Sequence, residues 1–326
     1  MIKKGILVTG GSGLVGVHVV ALLQSNGERP VVYDAKVNRD LLKAVGVDLS
    51  TVPLVQGNVL DRPGLVSVIR EHRIDRVIHL AGLTGEEVQR HPHKGVEVNV
   101  MGTMNLLEAA GQESISRVTY ASSGSVYLRS LEQGTQTINE AIAVNPPSIY
   151  AATKASSEFL GQAYAEQFGF EFVSVRYVGG LYGPSPVSMK SAREQAIAAM
   201  VRAALTGKTV TIQWPEGTME LVYARDAAKG TVLACLTDNL KDRLFHIGSG
   251  ELLVGEDFGR ALEKLFSGVS IKVQNIKRSL PHPEIRVIND NSRSRAQLGY
   301  KPEYPLEKAL TDYARTLESL GAGPHS

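Results

Sequence analysis

Gly5-Ile6-Leu7-Val8-Thr9-Gly10-Gly11-Ser12-Gly13-Leu14-Val15-Gly16 decides the fold. A β-branched run breaks into glycines at Gly10, Gly13 and Gly16, in G-x-x-G-x-x-G spacing, and then opens into a helical stretch. Glycines let the backbone turn tightly there, and the free N–H groups of the helix start face an anion such as a pyrophosphate. Taken alone, a glycine triplet equally describes an ordinary strand-to-helix turn. Context decides. Short β-branched runs alternate with longer amphipathic stretches through the first half of the chain, the pattern of βαβ units in a parallel sheet. Strands are expected at Gly5 to Thr9, Pro30 to Tyr33, Pro53 to Val55, Arg76 to Leu80, Arg117 to Ala121 and Glu171 to Arg176.

The alternation decays after Arg176, where Gly179, Gly180, Gly183, Pro184 and Pro186 mark an exit from the sheet. Leu221 to Tyr223 and Arg243 to Ile247 still read as strands that could return to the first unit, and a helical run closes the chain at Leu306 to Leu320. The fold class expected is α/β: a Rossmann, doubly wound parallel sheet with a smaller, discontinuous C-terminal substrate lobe. Residues 1–176 and about 221–250 would form the dinucleotide-binding domain. Residues 177–220 and 251–320 would fold as the lobe over the C-terminal edge of the sheet, where open α/β sheets bind ligands.

Composition narrows the class. With 326 residues, 43% of them hydrophobic, the chain can bury a substantial core. Its 35 basic residues are dispersed among 33 acidic ones for a net charge of +2, so no concentrated field awaits a nucleic acid. A single cysteine, Cys235, excludes an internal disulfide, and no apolar stretch approaches the ~20 residues that cross a bilayer. The start, Met1-Ile2-Lys3-Lys4, has no signal-peptide pattern, so a cytoplasmic setting without a membrane is expected.

The second strand ends in Val32-Tyr33-Asp34. An acid at that place accepts hydrogen bonds from an adenosine ribose 2′-OH and repels a 2′-phosphate, which favours NAD over NADP. Lys36 and Arg39 lie close in sequence and soften that preference.

Tyr150-Ala151-Ala152-Thr153-Lys154 heads a predicted helix, and i to i+4 spacing puts phenol and ammonium on one face. A free tyrosine titrates near ~10 and a useful base near ~7, a gap of about 4 kcal/mol that nearby positive charge must close. Lys154 and an oxidised nicotinamide together supply such charge. Ser123, at the end of the fifth strand, would hydrogen-bond a substrate oxygen passing between alcohol and carbonyl, an electrostatic and not a nucleophilic role. A Tyr-x-x-x-Lys pair alone also describes an exposed helix face. Its position after a glycine turn, an acid at the second strand and a serine at the fifth makes the set specific.

In this order, these residues resemble the extended short-chain dehydrogenase/reductases, the epimerase/dehydratase family that includes UDP-glucose 4-epimerase. The resemblance spans nearly the whole chain. It takes in Asn58-Val59, Leu80-Ala81-Gly82, Asn99, Arg176-Tyr177, Tyr182-Gly183-Pro184, Asp226, Ile247-Gly248-Ser249-Gly250 and Leu298-Gly299-Tyr300-Lys301-Pro302. It implies Leu14 and Val15 under the pyrophosphate, Asn58 and Val59 by the adenine, and Leu80, Ala81 and Gly82 along the cofactor. Asn99 and Val178 would approach the nicotinamide half. The family usually carries Asp at the Asn58 position, and an amide oxygen still accepts from an adenine amino group. A homodimer through Val96 to Ala110 and Tyr150 to Phe168 is also implied.

Departures from the family narrow the reaction. Family dehydratases and decarboxylases carry acids just after the serine; Gly124, Ser125 and Val126 stand here, which argues against elimination. Nucleotide-sugar epimerases hold the substrate diphosphate with an Asn and an Arg where this chain has Gly179 and Met219. Arg278 remains as a loosely aligned third phosphate-binding candidate. The leading expectation is therefore a dehydrogenase on a small hydroxylated substrate, a sugar, sugar acid or hydroxy acid. A UDP-sugar 4-epimerase with NAD recycled in place and a non-catalytic dinucleotide sensor are the alternatives. Thr84, Ser125, Tyr177, Gly179, Met189, Lys190 and Arg193 are the candidate substrate contacts. Trp214 and Pro215 are expected to pack under the lobe. His91 and His93 have a metal-like spacing without further ligands nearby, so no metal is expected.

Overall fold

The structure, a computed structural model, describes residues 4–131, 134–185, 192–215, 219–276 and 285–321. Seven strands form its main sheet: β1 (Gly5–Thr9), β2 (Pro30–Asp34), β3 (Leu54–Gln56), β4 (Ile74–His79), β5 (Arg117–Ser123), β7 (Glu171–Tyr177) and β11 (Leu244–Ile247). Their order is β3-β2-β1-β4-β5-β7-β11, and every neighbouring pair is parallel. The order reverses between β1 and β4, and at such a switch point the crevice outside the carboxyl ends of the strands takes a dinucleotide.

Period-two alternation sends each strand's side chains into two cores. Ile6 and Val8 of β1, Val32 of β2, Ile78 of β4 and Val173, Val175 and Tyr177 of β7 enter the core beneath α1 (Gly16–Ser25), with α2 (Arg39–Ala44) at its border. Leu7, Val31, Tyr33, Val77, Tyr120 and Phe172 enter the opposite core, under α3 (Arg62–Glu71). Two short helices, α4 (Gly85–Arg90) and α5 (Pro92–Val96), then lead through a π turn at Glu97–Met101 into α6 (Gly102–Gln112). α7 (Ile149–Phe168) packs beside α6 and against β5 and β7.

Two further strands complete a ribbon beside the sheet: β6 (Gly134–Ile138) pairs in parallel with β14 (Ile285–Asn289), a contact between distant stretches that sequence patterning did not foresee. The rest of the lobe comprises β8 (Gly180–Tyr182), α8 (Ala192–Leu205), β9 (Val210–Pro215), β10 (Met219–Tyr223), β12 (Leu252–Leu253), α10 (Gly255–Leu265), β13 (Ile271–Ile276) and α12 (Leu306–Ser319). Its own core includes Ile197, Val201, Ile212, Phe258, Leu262, Leu310 and Tyr313. The remaining helices, α9 (Ala224–Leu236) and α11 (Ser292–Leu298), pack on β11, and α9 also lies against α1.

The two returning strands expected from sequence separate. β11 joins the main sheet, whereas β10 pairs with β8 and β12 in a three-stranded sheet of its own. Tyr182, Leu221 and Tyr223 bury their side chains in the lobe core, which draws β10 to that side. β5 and β7 run to Ser123 and Tyr177, past the ends expected at Ala121 and Arg176.

Candidate active site

Gly10 has a left-handed φ of +67° and lies so close to the β4 exit that a Cβ would stand 2.8 Å from the Ala81 nitrogen. At Gly16 a Cβ would fall 2.1 Å from the Gly10 oxygen, so the helix can begin there only with glycine. Val15 precedes α1 without a side-chain cap, and the Val17 and His18 N–H groups donate to the Gly13 and Val15 carbonyls, so an anion would meet the N–H groups of the turn just before them. Val15 is buried and Leu14 partly so. A dinucleotide fits this turn.

The Asp34 carboxylate is fixed from both ends: Oδ2 accepts the Ser12 N–H at 2.9 Å and Oδ1 the Lys36 N–H at 3.0 Å. Burial pushes its pKa up, and those backbone bonds oppose the rise. A carboxylate's remaining acceptor capacity is what a ribose hydroxyl would use. Lys36 and Arg39 are exposed. Farther along, Tyr33 Oη donates to the Asn58 carbonyl at 3.0 Å, and Asn58 Oδ1 accepts the Leu60 N–H at 3.0 Å. Half of that oxygen's accepting capacity is thus used locally. Val59 is buried against Gly102.

The strand ends β1 and β4 are tied by a buried polar chain. Thr103 Oγ1 donates to the Asn99 carbonyl at 2.6 Å, so it accepts from His79 Nε2 at 3.0 Å, and His79 Nδ1 in turn accepts from Thr9 Oγ1 at 2.6 Å. Burial, with the Lys154 charge nearby, holds the His79 imidazole neutral, its pKa down at about 3. Leu80 donates its N–H to the Thr9 carbonyl at 3.0 Å, which sets the direction of Leu80-Ala81-Gly82.

Asn99, expected beside the nicotinamide half, is only 2% exposed. Its Oδ1 accepts the Leu83 N–H at 2.7 Å, and its Nδ2 donates to the Leu83 carbonyl and to Thr153 Oγ1, both at 3.2 Å. Its amide therefore positions the loop after β4 and holds the start of α7. A Cβ at Gly82 would lie 3.1 Å from Asn99 Oδ1 and 3.7 Å from Lys154 Nζ, so glycine keeps the approach to that lysine open.

Ser148 caps α7, its side chain accepting the Ala151 N–H at 3.2 Å, and Gly169 closes the helix in the left-handed conformation. Tyr150 stands in the first turn, partly buried, with Gly85 facing its ring. Lys154, one turn on, is 7% exposed and donates to the Ala121 carbonyl at 2.8 Å. Burial pulls its pKa down to about 8, and the Glu158 carboxylate opposes that fall. Burial raises the Tyr150 phenol above its ordinary value while the Ser123 hydroxyl draws it back. Ser123 Oγ accepts the Ser125 N–H at 3.2 Å and shares a 3.0 Å bond with Ser125 Oγ. Serine, phenol and ammonium are thus gathered at the carboxyl end of β5, beside the switch point.

The substrate candidates fare unevenly. Ser125 stands beside Ser123, and Thr84 begins α4 without a side-chain cap bond. Tyr177 does not face the site: alternation along β7 turns it into the α1 core, where its hydroxyl bonds Thr231 Oγ1 at 2.7 Å. Gly179 has φ +105°, and a Cβ there would meet the Glu220 carbonyl oxygen at 2.9 Å. It supplies backbone only. Met219 packs against the lobe core, and Val178 is buried with its N–H on the Ile247 carbonyl at 3.0 Å. Met189, Lys190 and Arg278 lie outside the described residues, as do the side chains of Arg193 and Trp214. His91 and His93 are exposed, and among the described residues no three metal-ligating side chains cluster.

Sequence reading passed over the groups behind the site. Arg176 forks onto Glu158, Nε to Oε1 at 2.8 Å and Nη2 to Oε2, and reaches Tyr127 Oη with Nη1. Tyr127 Oη bonds His246 Nε2 at 2.6 Å. Glu158 sits four residues after Lys154, so the helical period that pairs Tyr150 with Lys154 also points to it. Glu220, 4% exposed, accepts the N–H groups of Gly250 at 3.0 Å and Asn289 at 2.7 Å.

Comparison with known proteins agrees with this geometry. Across 95% of the chain and 94% of the relative, the sequence is 26% identical to UDP-glucose 4-epimerase of Halalkalibacterium halodurans. The structure superposes on Thermus thermophilus UDP-glucose 4-epimerase in complex with NAD with a TM-score of 0.80, at 26% identity over 97% of this chain and 99% of that one. Bacillus cereus UDP-glucuronic acid 4-epimerase, in complex with UDP-glucuronic acid and NAD, gives a TM-score of 0.78 at 26% identity over 97% of this chain and 100% of that one. The family profile matches residues 6–248, and the chain is an enzyme of the NAD dependent epimerase/dehydratase family.

Proposed function

We propose that this enzyme is a nucleotide-sugar 4-epimerase that inverts one secondary alcohol carbon with NAD recycled in place. The observation that carries the reading is the gathering of Ser123, Tyr150 and Lys154 at the β5 exit in a chain that matches UDP-sugar 4-epimerases over nearly its whole length. This reverses the order of the expectations drawn from sequence, in which a dehydrogenase on a small substrate led. Held by the Gly10–Gly16 turn, Asp34 and Lys154, NAD would supply a hydride acceptor and donor for the carbinol carbon.

The protein's own groups handle the proton. Tyr150 as phenolate takes it from the substrate hydroxyl and later returns it, with no net change. Lys154 supplies the positive charge that makes a phenolate accessible, and its Nζ, with one donor on Ala121, keeps two for ribose hydroxyls. Ser123 donates to the oxygen as it becomes a carbonyl. Substrate deuterated at the inverted carbon should retain its label through turnover; wash-out to solvent would contradict an internal hydride cycle.

Gly179 and Met219 favour a second reading, a dehydrogenase on a small non-nucleotide alcohol, because neither side chain binds a diphosphate. Steady accumulation of reduced NAD with polyols or hydroxy acids distinguishes it. For assembly we infer a homodimer: Val96, Met101 and Phe159, 43%, 48% and 59% exposed, stand on the helical layer formed by α5 to α7. Light scattering should give twice the chain mass. A cytoplasmic setting suits the single, buried Cys235.

A further inference from the structure

We propose that Glu158 is a positioning residue whose carboxylate, held by Arg176, keeps Lys154 charged and thereby sets the basicity of Tyr150. The inference rests on the epimerase reading for its consequences in turnover, though not for its geometry. Tyr150, Lys154 and Glu158 occupy positions i, i+4 and i+8 of α7, one above another on a single face. Lys154 and Glu158 are 7% and 2% exposed. An ammonium in such surroundings tends to lose its proton, because burial disfavours the charged form.

Several elements face Lys154. On β4, His79 is neutral; on β5, the Tyr120 ring lies 5.0 Å below Nζ and the Ala121 carbonyl accepts from it. Asn99, from the π turn, is uncharged, and the Tyr150 ring centroid is 6.0 Å away. Glu158 is the group whose charge opposes the loss of the Lys154 proton. Arg176 forks onto both of its oxygens, an arrangement with strong directional preference. Arg176 is in turn fixed by Tyr127, and Tyr127 by His246 of β11. A chain of contacts therefore runs from the main sheet's edge to Glu158, one helical turn beyond Lys154 on the same face of α7.

Loss of the Glu158 charge should act on both ionisations. Lys154 gives up its proton at lower pH, and the Tyr150 phenol, deprived of that charge, gives up its own at higher pH. The direct test uses the NAD-bound protein and reads the Tyr150 phenolate as the pH-dependent ultraviolet absorbance that Tyr150→Phe removes. In Glu158→Gln its midpoint should rise by about one pH unit. Glu158→Asp, which keeps the charge, should return most of that shift. Where the unpaired Arg176 prevents Glu158→Gln from folding, Glu158→Gln with Arg176→Met removes both charges and should keep the shift.

An unchanged midpoint in either folded variant overturns the proposal, as does an equal shift in Glu158→Asp. Turnover supplies a second readout. The pH range of kcat should narrow from both sides, with little change in KM; a uniform fall at all pH values would mark Glu158 as merely structural. Failure of every nucleotide sugar to react would overturn the epimerase reading and still leave the phenolate titration to decide the role of Glu158.

Discussion

The cofactor half and the lobe are built on different terms. Around β1 and β2, candidate residues are fixed by neighbours close in sequence or on the adjoining strand: Gly16 by the Gly10 carbonyl, Asp34 by Ser12 and Lys36, while Lys154 of α7 reaches across to the Ala121 carbonyl of β5. In the lobe the ties are distant. β6 pairs with β14 across 134–138 and 285–289, and Glu220 of β10 grips the backbone of Gly250 and Asn289. The family profile, residues 6–248, spans the main sheet and the lobe segments from β8 to β10, and ends before β12. The dinucleotide turn is thus held by a local framework, while the lobe is joined by long-range contacts.

Four substitutions press on that contrast. Tyr150→Phe should lower kcat by about 10³-fold, the usual range for a lost acid–base group, while thermal unfolding and NAD affinity stay nearly constant. A variant that keeps more than a tenth of its rate would detach the chemistry from this half. Gly16→Ala should cost several kcal/mol of stability, roughly 3 or more, together with NAD binding, because its Cβ has no room against the Gly10 oxygen. Unchanged denaturant midpoints would show that the turn can relax.

Glu220 tests the lobe. Burial raises its carboxyl to about 7, against an ordinary value of 4.5. The folded state therefore holds this proton more tightly than the unfolded chain. Its contribution to stability is fully present below pH 4.5 and fades as the pH rises through about 7, by about 3 kcal/mol in all. Urea unfolding at pH 5 and pH 8 should show a loss at the higher pH that Glu220→Gln flattens; parallel pH dependences would leave the clasp unsupported. The smallest effect is expected at Asp34. Asp34→Ser removes the repulsion toward a 2′-phosphate, and the ratio of NAD to NADP affinities should fall by about tenfold. Calorimetric titration with both cofactors checks it.

The same contrast explains what the sequence reveals. The glycine turn, Asp34, Ser123 and the Tyr150–Lys154 pair are legible because a strand-to-helix turn and a helical period are local facts. Tyr177 misleads because its neighbour Arg176 and it point to opposite faces of β7, and only the β-strand phase shows which faces the site. Asn99, expected near the cofactor path, has its amide taken up by Leu83 and Thr153, bonds that need the π turn to be seen. β10 reads like a sheet strand because its apolar run is the same whichever core it enters. Gly179 and Met219 read as missing phosphate ligands, and the structure adds what the sequence does not show: one is a left-handed glycine against Glu220, the other a methionine on the lobe core.

Conversion of UDP-glucose or UDP-glucuronic acid to its C4 epimer, followed by nuclear magnetic resonance without added NAD, tests the account most directly. The expected result is inversion at C4 by the protein as purified, lost in Tyr150→Phe and without net reduced NAD. No inversion of either sugar nucleotide, with reduced NAD accumulating instead from a small polyol or hydroxy acid, would contradict it.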